Sequence, residues 1–422
     1  MFMRKMTTGS LAIFCSNEPM PRNGDQHFPF RQDSDLFALS GLDQPGTIII
    51  LCPHARRKAD REIALILPQD PEHTIWNGER YSTREAARIS GISQVKTLDH
   101  LDRILDRLSR EAHTIYINSV DQGHHKLTIQ LPNDRMAESL RQRFPDHTFK
   151  DSYLILRQMM MIKHPEELQL MRHAVAVSGM AFDRVLETTR PGMKEYQLEA
   201  ELTSVLVRNG CQQAFEPIVA SGKSACILHY IRNDRVLQKE DLVLLDFGAE
   251  YACMASDISR TIPVSGRFTK RQRDIYHSVQ KILDEVSEIM RPGITLTELN
   301  KATGTLVERE LLRLRIITKS DLRRQDPAAP IRRKYFMHGV SHHLGYDVHD
   351  QHERTAPLKA GMVLTCEPGL YIPEEGIGIR LENDILITRG KPKNLMEGIP
   401  IDPDEIEEIM EKRKQETGGR RQ

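Results

Sequence analysis

The chain has 422 residues, with 59 lysines and arginines balanced by 59 aspartates and glutamates, and 39% of it is hydrophobic. That apolar share supports sizeable cores and excludes a chain disordered throughout, and at about 150 residues per domain the length implies two or three domains. Zero net charge speaks against a protein built to neutralise a phosphate backbone, so no nucleic-acid partner is expected.

Near the N-terminus only residues 11–14 form an apolar run, too short for a secretion signal. No stretch of about 18 apolar residues occurs anywhere, so neither export nor a membrane partner is expected. Six cysteines (Cys15, Cys52, Cys211, Cys226, Cys253 and Cys366) lack a CxxC pair or regular spacing. They read as the reduced thiols of a cytoplasmic protein rather than a disulfide framework or zinc-thiolate site.

From about residue 10 to 155, short β-rich runs at 47–51, 64–67 and 114–117 alternate with helix-like stretches at 82–89 and 98–112. This is the rhythm of an α/β domain. A helix then opens at His164-Pro165, proline suiting the first helical position, with Leu168, Met171, Val175, Ser178, Phe182 and Val185 at helical spacing. The boundary falls just before it, giving an N-terminal α/β domain over 1–158 and a second domain over 159–422. Within the second domain, Arg190-Pro-Gly-Met193 followed by Leu198 recurs as Arg291-Pro-Gly-Ile294 followed by Leu299. Either these are two unrelated helix ends, since Pro-Gly commonly follows a helix, or they mark a duplicated unit with a site where its halves meet. The charged tail from Asp402 is expected to form a short helix with a frayed end.

Three clusters carry chemistry. In the first, apolar strand-like runs bear Asp246 and, 11 residues on, Asp257, and a hairpin between the runs brings both carboxylates to one spot. Converging carboxylates are costly unless a cation or shared proton relieves them. The second, residues 336–350, holds His338, His342, His343 and His349, a density suited to metal ligation or proton transfer. The third places Glu367 and Glu382 in β-like apolar surroundings, where an unpaired carboxylate is disfavoured. Pairing of Glu382 with Arg380 alone would leave Glu367 unexplained. Together the clusters offer four carboxylates and at least one imidazole, a set suited to Mn, Fe, Co or Zn and sufficient for two ions. Such a pair hydrolyses bonds by generating a nucleophile and polarising a carbonyl.

The Asp pair, His-Gly-x-x-His, Thr-x-Glu-Pro-Gly and Gly-Ile-Arg-x-Glu, in that order, resemble the pita-bread metallopeptidase family over about residues 160 to 400. The segment from Phe28 to Gly41 looks like the N-terminal domain of that family's aminopeptidase P branch. The resemblance implies an α+β catalytic domain with pseudo-twofold duplication behind the α/β domain. It also implies hydrolysis of the bond between an N-terminal residue and a following proline by two divalent ions, Mn(2+) by family expectation. Asp246 would be a terminal ligand, Asp257 and Glu382 the bridges, and His342 and Glu367 the ligands of the second ion. Glu367 would also carry the proton, with His338, His349 and Arg380 as catalytic partners and His229, His349, Tyr371 and Trp76 on the substrate side. Taken alone, Trp76 reads as a packing residue; by resemblance it would reach a neighbouring subunit, so a homodimer or homotetramer acting on peptides with proline at position two is expected. The alternatives are an Xaa-Pro dipeptidase, a non-catalytic binding protein on the same fold, and metal-free creatinase-like chemistry, the last two disfavoured by the complete ligand set.

Overall fold

In the computed structural model the described residues are 1–118, 129–353 and 355–418. They fall into two units that divide after Met160. The first is built on a six-stranded mixed sheet of β1 (Ser10–Cys15), β2 (Ile48–Leu51), β3 (Glu62–Ile66), β4 (Gln94–Thr97), β5 (Thr114–Ile117) and β6 (Thr148–Asp151). The spatial order is β4-β3-β2-β1-β5-β6. Every residue of β1, β2 and β5 is buried, so both faces of the sheet centre are covered, as continuous apolar strands require. Helices at Thr83–Ser90, Leu101–Ser109 and Pro132–Arg143 complete an α/β unit. The packing reading of Trp76 is overturned: it is 79% exposed beside Ile75 at 81%. The short helix Pro71–Asn77 that carries both buries none of its residues.

The second unit repeats one construction. Helix α1 (Pro165–Thr188) is followed by α2 (Glu195–Arg208), and α3 (Lys270–Ile289) by α4 (Leu296–Arg313). Met171, Val175, Ser178, Phe182 and Val185 of α1 are all buried. Its one polar member, Ser178, meets Ser256 Oγ at 2.9 Å and accepts from the Ala249 amide at 2.9 Å. The two Pro-Gly turns are equivalent in detail. Gly192 has φ +88° and Gly293 +101°, values that favour glycine. The Gly192 amide donates to Leu237 and the Leu237 amide to Met193, while the Gly293 amide donates to Leu358 and the Leu358 amide to Ile294. The motif thus marks a duplication, not two unrelated helix ends.

Each pair of helices is matched by a broken β-hairpin. In the first half, β7 (Ile218–Ser221) flanks β8 (Leu242–Phe247), which runs on into β9 (Ala249–Tyr251) and returns through β10 (Met254–Ala255) and β11 (Ile258–Pro263). The pairs Asp246↔Ser259 and Glu250↔Ala255 belong to one continuing register, interrupted at Gly248 and Asp257. In the second half, β12 (Val363–Cys366) and β13 (Gly369–Ile372) return as β14 (Ile377–Arg380) and β15 (Asn383–Leu386). Cys366↔Asn383 and Gly369↔Arg380 again share a register, interrupted at Glu367 and Glu382. A final helix spans Pro403–Gly418, and residues 419–422, for which fraying is expected, lie outside the described residues. Among the described residues no helix is long and apolar enough to cross a membrane.

The first break depends on Gly248, where a Cβ would sit 1.8 Å from the Ser256 carbonyl oxygen. Gly248→Ala is therefore expected to cost about 3 kcal/mol or more, since backbone must move. Gly192→Ala, in open space at positive φ, should cost only about 1 kcal/mol. Denaturant unfolding of the two variants checks the contrast.

Candidate metal centre

The strand breaks position the acids. Asp246 lies next to last in β8, two residues before the break, and Asp257 stands opposite Gly248 just before β11. Glu367 follows β12, and Glu382 precedes β15 at the facing position. The segment around His342 is laid beside β12: the His342 amide donates to Thr365 Oγ1 at 3.1 Å and the Thr365 amide to the His342 carbonyl at 2.9 Å. Asp257, His342 and Glu382 each offer a ligand atom within 4.8 Å of the others. His342 Nε2 lies 3.4 Å from Asp257 Oδ2 and 3.8 Å from Glu367 Oε1.

Electrostatics show what the cluster lacks. Burial, and then Asp246, Asp384 and Glu367, holds Asp257 well above the ordinary carboxylate range. Burial and then Asp257 does the same to Glu382. Burial also pushes Glu367 up to about 7 and Asp384 to about 8. Asp246 Oδ1 and Asp257 Oδ1 are buried without a hydrogen-bond partner. His342 Nδ1 sits 3.0 Å from the His343 carbonyl and donates to it, which leaves Nε2 as the ring's available ligand atom, facing Asp257 and Glu367. Converging buried carboxylates with an imidazole nitrogen facing them are a donor set that fits a divalent metal ion.

Arg380 supplies one fixed cation. Its Nη2 meets Asp246 Oδ2 at 2.5 Å, its Nη1 donates to the Tyr371 hydroxyl at 2.9 Å and its Nε to Ser259 Oγ at 2.9 Å. It pairs with Asp246, not Glu382, whose Oε2 accepts from Ser259 Oγ at 2.7 Å. Tyr371, expected on the substrate side, is fully buried, and its hydroxyl bridges Arg380 and His338 Nε2, the latter at 2.8 Å. The tyrosine therefore positions the two groups it joins.

The carboxylates face a cavity of about 600 Å³. His229, His338, His349 and Arg380 line it, along with the apolar side chains of Phe215, Leu228, Ile231 and Val348. Burial lowers both His338 and His349 to about 4, so these imidazoles are neutral at physiological pH.

Sequence reasoning passed over the groups that fix this wall. Glu195, at the start of α2 and wholly buried, accepts from the Ser221 amide and hydroxyl at 2.7 and 2.6 Å. Its other oxygen accepts from the Tyr230 hydroxyl and the Arg235 amide at 2.8 and 2.9 Å, clamping the loop that carries His229. Lys163 Nζ meets Asp350 Oδ2 at 2.5 Å, both side chains fully buried, and the Asp350 amide donates to the His343 carbonyl, so the pair ties down the loop between His342 and His349. Asp350 directly follows His349, and Lys163 precedes the helix start at His164-Pro165. Their adjacency to residues already singled out was the available signal.

A duplicated α+β unit that gathers buried acids and an imidazole at a cavity is the construction of a metal-dependent hydrolase. The chain belongs to metallopeptidase family M24, whose family model matches residues 169–389, and the aminopeptidase P N-terminal domain matches residues 1–116. It is accordingly a peptide hydrolase that uses divalent metal ions, with a pita-bread catalytic domain behind an aminopeptidase P-type domain. The chain is 33% identical to Xaa-Pro aminopeptidase of Escherichia coli over 97% of its length and 95% of that protein's. It is 29% identical to human Xaa-Pro aminopeptidase 3, over 95% of this chain and 81% of the relative. The structure of E. coli aminopeptidase P with the inhibitor Pro-Leu superposes with a TM-score of 0.87 at 32% identity, covering 98% of this chain and 97% of that one.

Two outcomes are expected. Lys163→Met, which leaves Asp350 buried without its cation, should cost about 3–5 kcal/mol in denaturant unfolding, and adding Asp350→Asn should recover part of the loss. In protein stripped of metal by a chelator, the folded state holds Glu367's proton up to about pH 7, whereas an unfolded glutamate titrates near about 4.3. The associated stability is complete below the unfolded value and is lost as pH rises through the folded one. The melting temperature of the stripped protein should therefore fall between pH 5 and 8, and metal should restore most at the alkaline end. A flat profile would contradict this account of the cluster.

Proposed function

We propose that the chain is an Xaa-Pro aminopeptidase, releasing the N-terminal residue from peptides with proline at position two. Two divalent ions per chain, Mn(2+) by preference, would be held by Asp246, Asp257, His342, Glu367 and Glu382. In this assignment Asp246 is a terminal ligand, Asp257 and Glu382 bridge, and His342 and Glu367 serve the second ion. Bound there, the ions would polarise the scissile carbonyl and acidify an attacking water.

The observation that carries the reading is the composition of the cavity. An acidic cluster with Arg380 occupies one part, while imidazoles, of which His338 and His349 are held neutral by burial, and apolar side chains line much of the rest. The Xaa-Pro bond is a tertiary amide: it has no N–H, and the ring fixes φ. A site that reads backbone donors cannot recognise it, whereas Phe215, Leu228, Ile231 and Val348 offer shape contact to a ring. His229 and His349 are the substrate-side imidazoles, able to donate to the carbonyls flanking the scissile bond. Glu367 is the proton carrier: its side chain is 18% exposed to the cavity, against 14% for Asp246 and 6% for Asp257. His338, with Nδ1 3.6 Å from Glu367 Oε2, borders that path. From Glu367 the proton passes to the departing proline nitrogen. Arg380 holds Asp246 in its ligand orientation.

A homodimer or homotetramer in the cytoplasm belongs to the same reading. The exposure of Trp76 supports a role for it as a substrate contact offered to a neighbouring subunit.

Hydrolysis of matched Xaa-Pro-Yaa and Xaa-Pro peptides with Mn(2+) tests this. Efficient cleavage of the tripeptide is expected, and Asp257→Ala should lose activity by more than about a hundredfold together with bound metal, exceeding the effect of outer-sphere changes. Cleavage of the dipeptide alone would make the enzyme an Xaa-Pro dipeptidase.

A further inference from the structure

His338 and Gly339 have cavities on two sides. Beyond the catalytic cavity they also line a second one of about 430 Å³, together with Asn300, Gly304, Arg332, Arg333, Phe336 and Met337. None of these lining residues is acidic, and two are arginines from the turn Ile331–Lys334.

The arginines differ in what they have free. Arg332 Nη1 is engaged by Glu308 Oε1 at 2.8 Å, and its guanidinium lies so close over α4 that a Cβ on Gly304 would come within 2.5 Å of Nε. The next cation, Lys334, is paired with Glu374 at 2.5 Å. Arg333 Nη1 reaches only the Ala328 carbonyl, at 3.3 Å, and no carboxylate pairs with it among the described residues. The cavity therefore carries one uncompensated guanidinium, on a turn whose other charges are neutralised. A planar guanidinium with free donors binds carboxylate through two parallel hydrogen bonds.

The peptide supplies the complementary group. With the N-terminal residue committed to the metal end, the chain after the proline must leave the catalytic cavity, and His338 and Gly339, which line that cavity, also line the one that holds Arg333. We propose that the second cavity extends the substrate site and binds a carboxylate carried by the residues after the proline, with Arg333 as the contacting group. The carboxylate is either the free C-terminus of a short peptide or an acidic side chain of a longer one. This inference rests on the Xaa-Pro aminopeptidase reading.

The test measures kcat and KM for three forms of one Xaa-Pro-Yaa-Zaa peptide: free acid, C-terminal amide, and amide with glutamate after the proline. Wild type, Arg333→Gln, Arg333→Lys and, as a control for net charge, the exposed Arg324→Gln are compared at low and high salt. The wild-type enzyme should prefer a carboxylate-bearing form over the neutral amide by about three- to tenfold, through KM, as for a partly exposed charge-assisted bond. High salt should shrink the preference. Arg333→Gln should abolish it, Arg333→Lys should keep part, and Arg324→Gln should leave it as it was. Which of the two acidic forms shows the effect identifies the source of the carboxylate. Equal efficiency on all three forms in wild type, or a preference that survives Arg333→Gln, overturns the proposal while leaving the peptidase reading intact. Failure to cleave any of the three overturns the activity itself, and the proposal with it.

Discussion

Four carboxylates, two of them buried and two partly buried, are held together at one centre, and most of the catalytic unit answers to that constraint. An isolated buried carboxylate is costly, and each further one raises the cost of the rest. Protein groups relieve it only in part: Arg380 neutralises Asp246, and Ser259 donates to Glu382. Asp257 is left with Asp246, Asp384, Glu367 and Glu382 around it, and His342 points Nε2 into the same space. Hydrophobic replacements would pack there more cheaply, so the cluster is understandable only as a site that cations complete.

The broken hairpin is how the fold meets that constraint. A continuous strand pair would turn successive side chains to opposite faces and bond every amide to its neighbour. Interrupting the ladder at Gly248 and Asp257, and again at Glu367 and Glu382, frees one short stretch in each half to point carboxylates at a common centre while the flanking ladders stay in register. Duplication gives the arrangement twice, which is why acids from residues 246 to 382 share one pocket. The buried Lys163–Asp350 pair and the four hydrogen bonds to Glu195 then fix the loops that face it.

What the sequence revealed follows from the same physics. Aspartates and glutamates inside apolar strand runs conflict with their surroundings, and such conflict is visible without coordinates. The recurring Arg-Pro-Gly was legible because the turn needs a left-handed residue at the same point in both halves. Trp76 was misjudged as core because a lone large aromatic is more often packed than exposed, and nothing in its short polar stretch showed that the helix carrying it would bury none of its residues. Glu195 and the Lys163–Asp350 pair were missed for a different reason. The latter joins residues 187 positions apart, and neither member stands out from the charged residues of an ordinary surface until the chain is folded.

Burial and then the fixed charge of Arg380 hold the His338 imidazole neutral. Arg380 cannot be deprotonated at accessible pH, so the Tyr371 hydroxyl must accept from it and donate its own proton to His338 Nε2. His338 Nδ1 then carries the ring's hydrogen, directed at the Gly339 carbonyl 2.7 Å away. A second proton on Nε2 would meet the tyrosine's own, which agrees with an imidazole that stays neutral down to about pH 4. The site is thus divided into an acidic part that asks for cations and a wall in which burial and the Arg380–Tyr371 chain keep the His338 imidazole neutral. A tertiary amide brings no N–H for acids to accept and a ring that gains from apolar contact, so a wall kept neutral in this way suits proline better than one whose charge follows the pH.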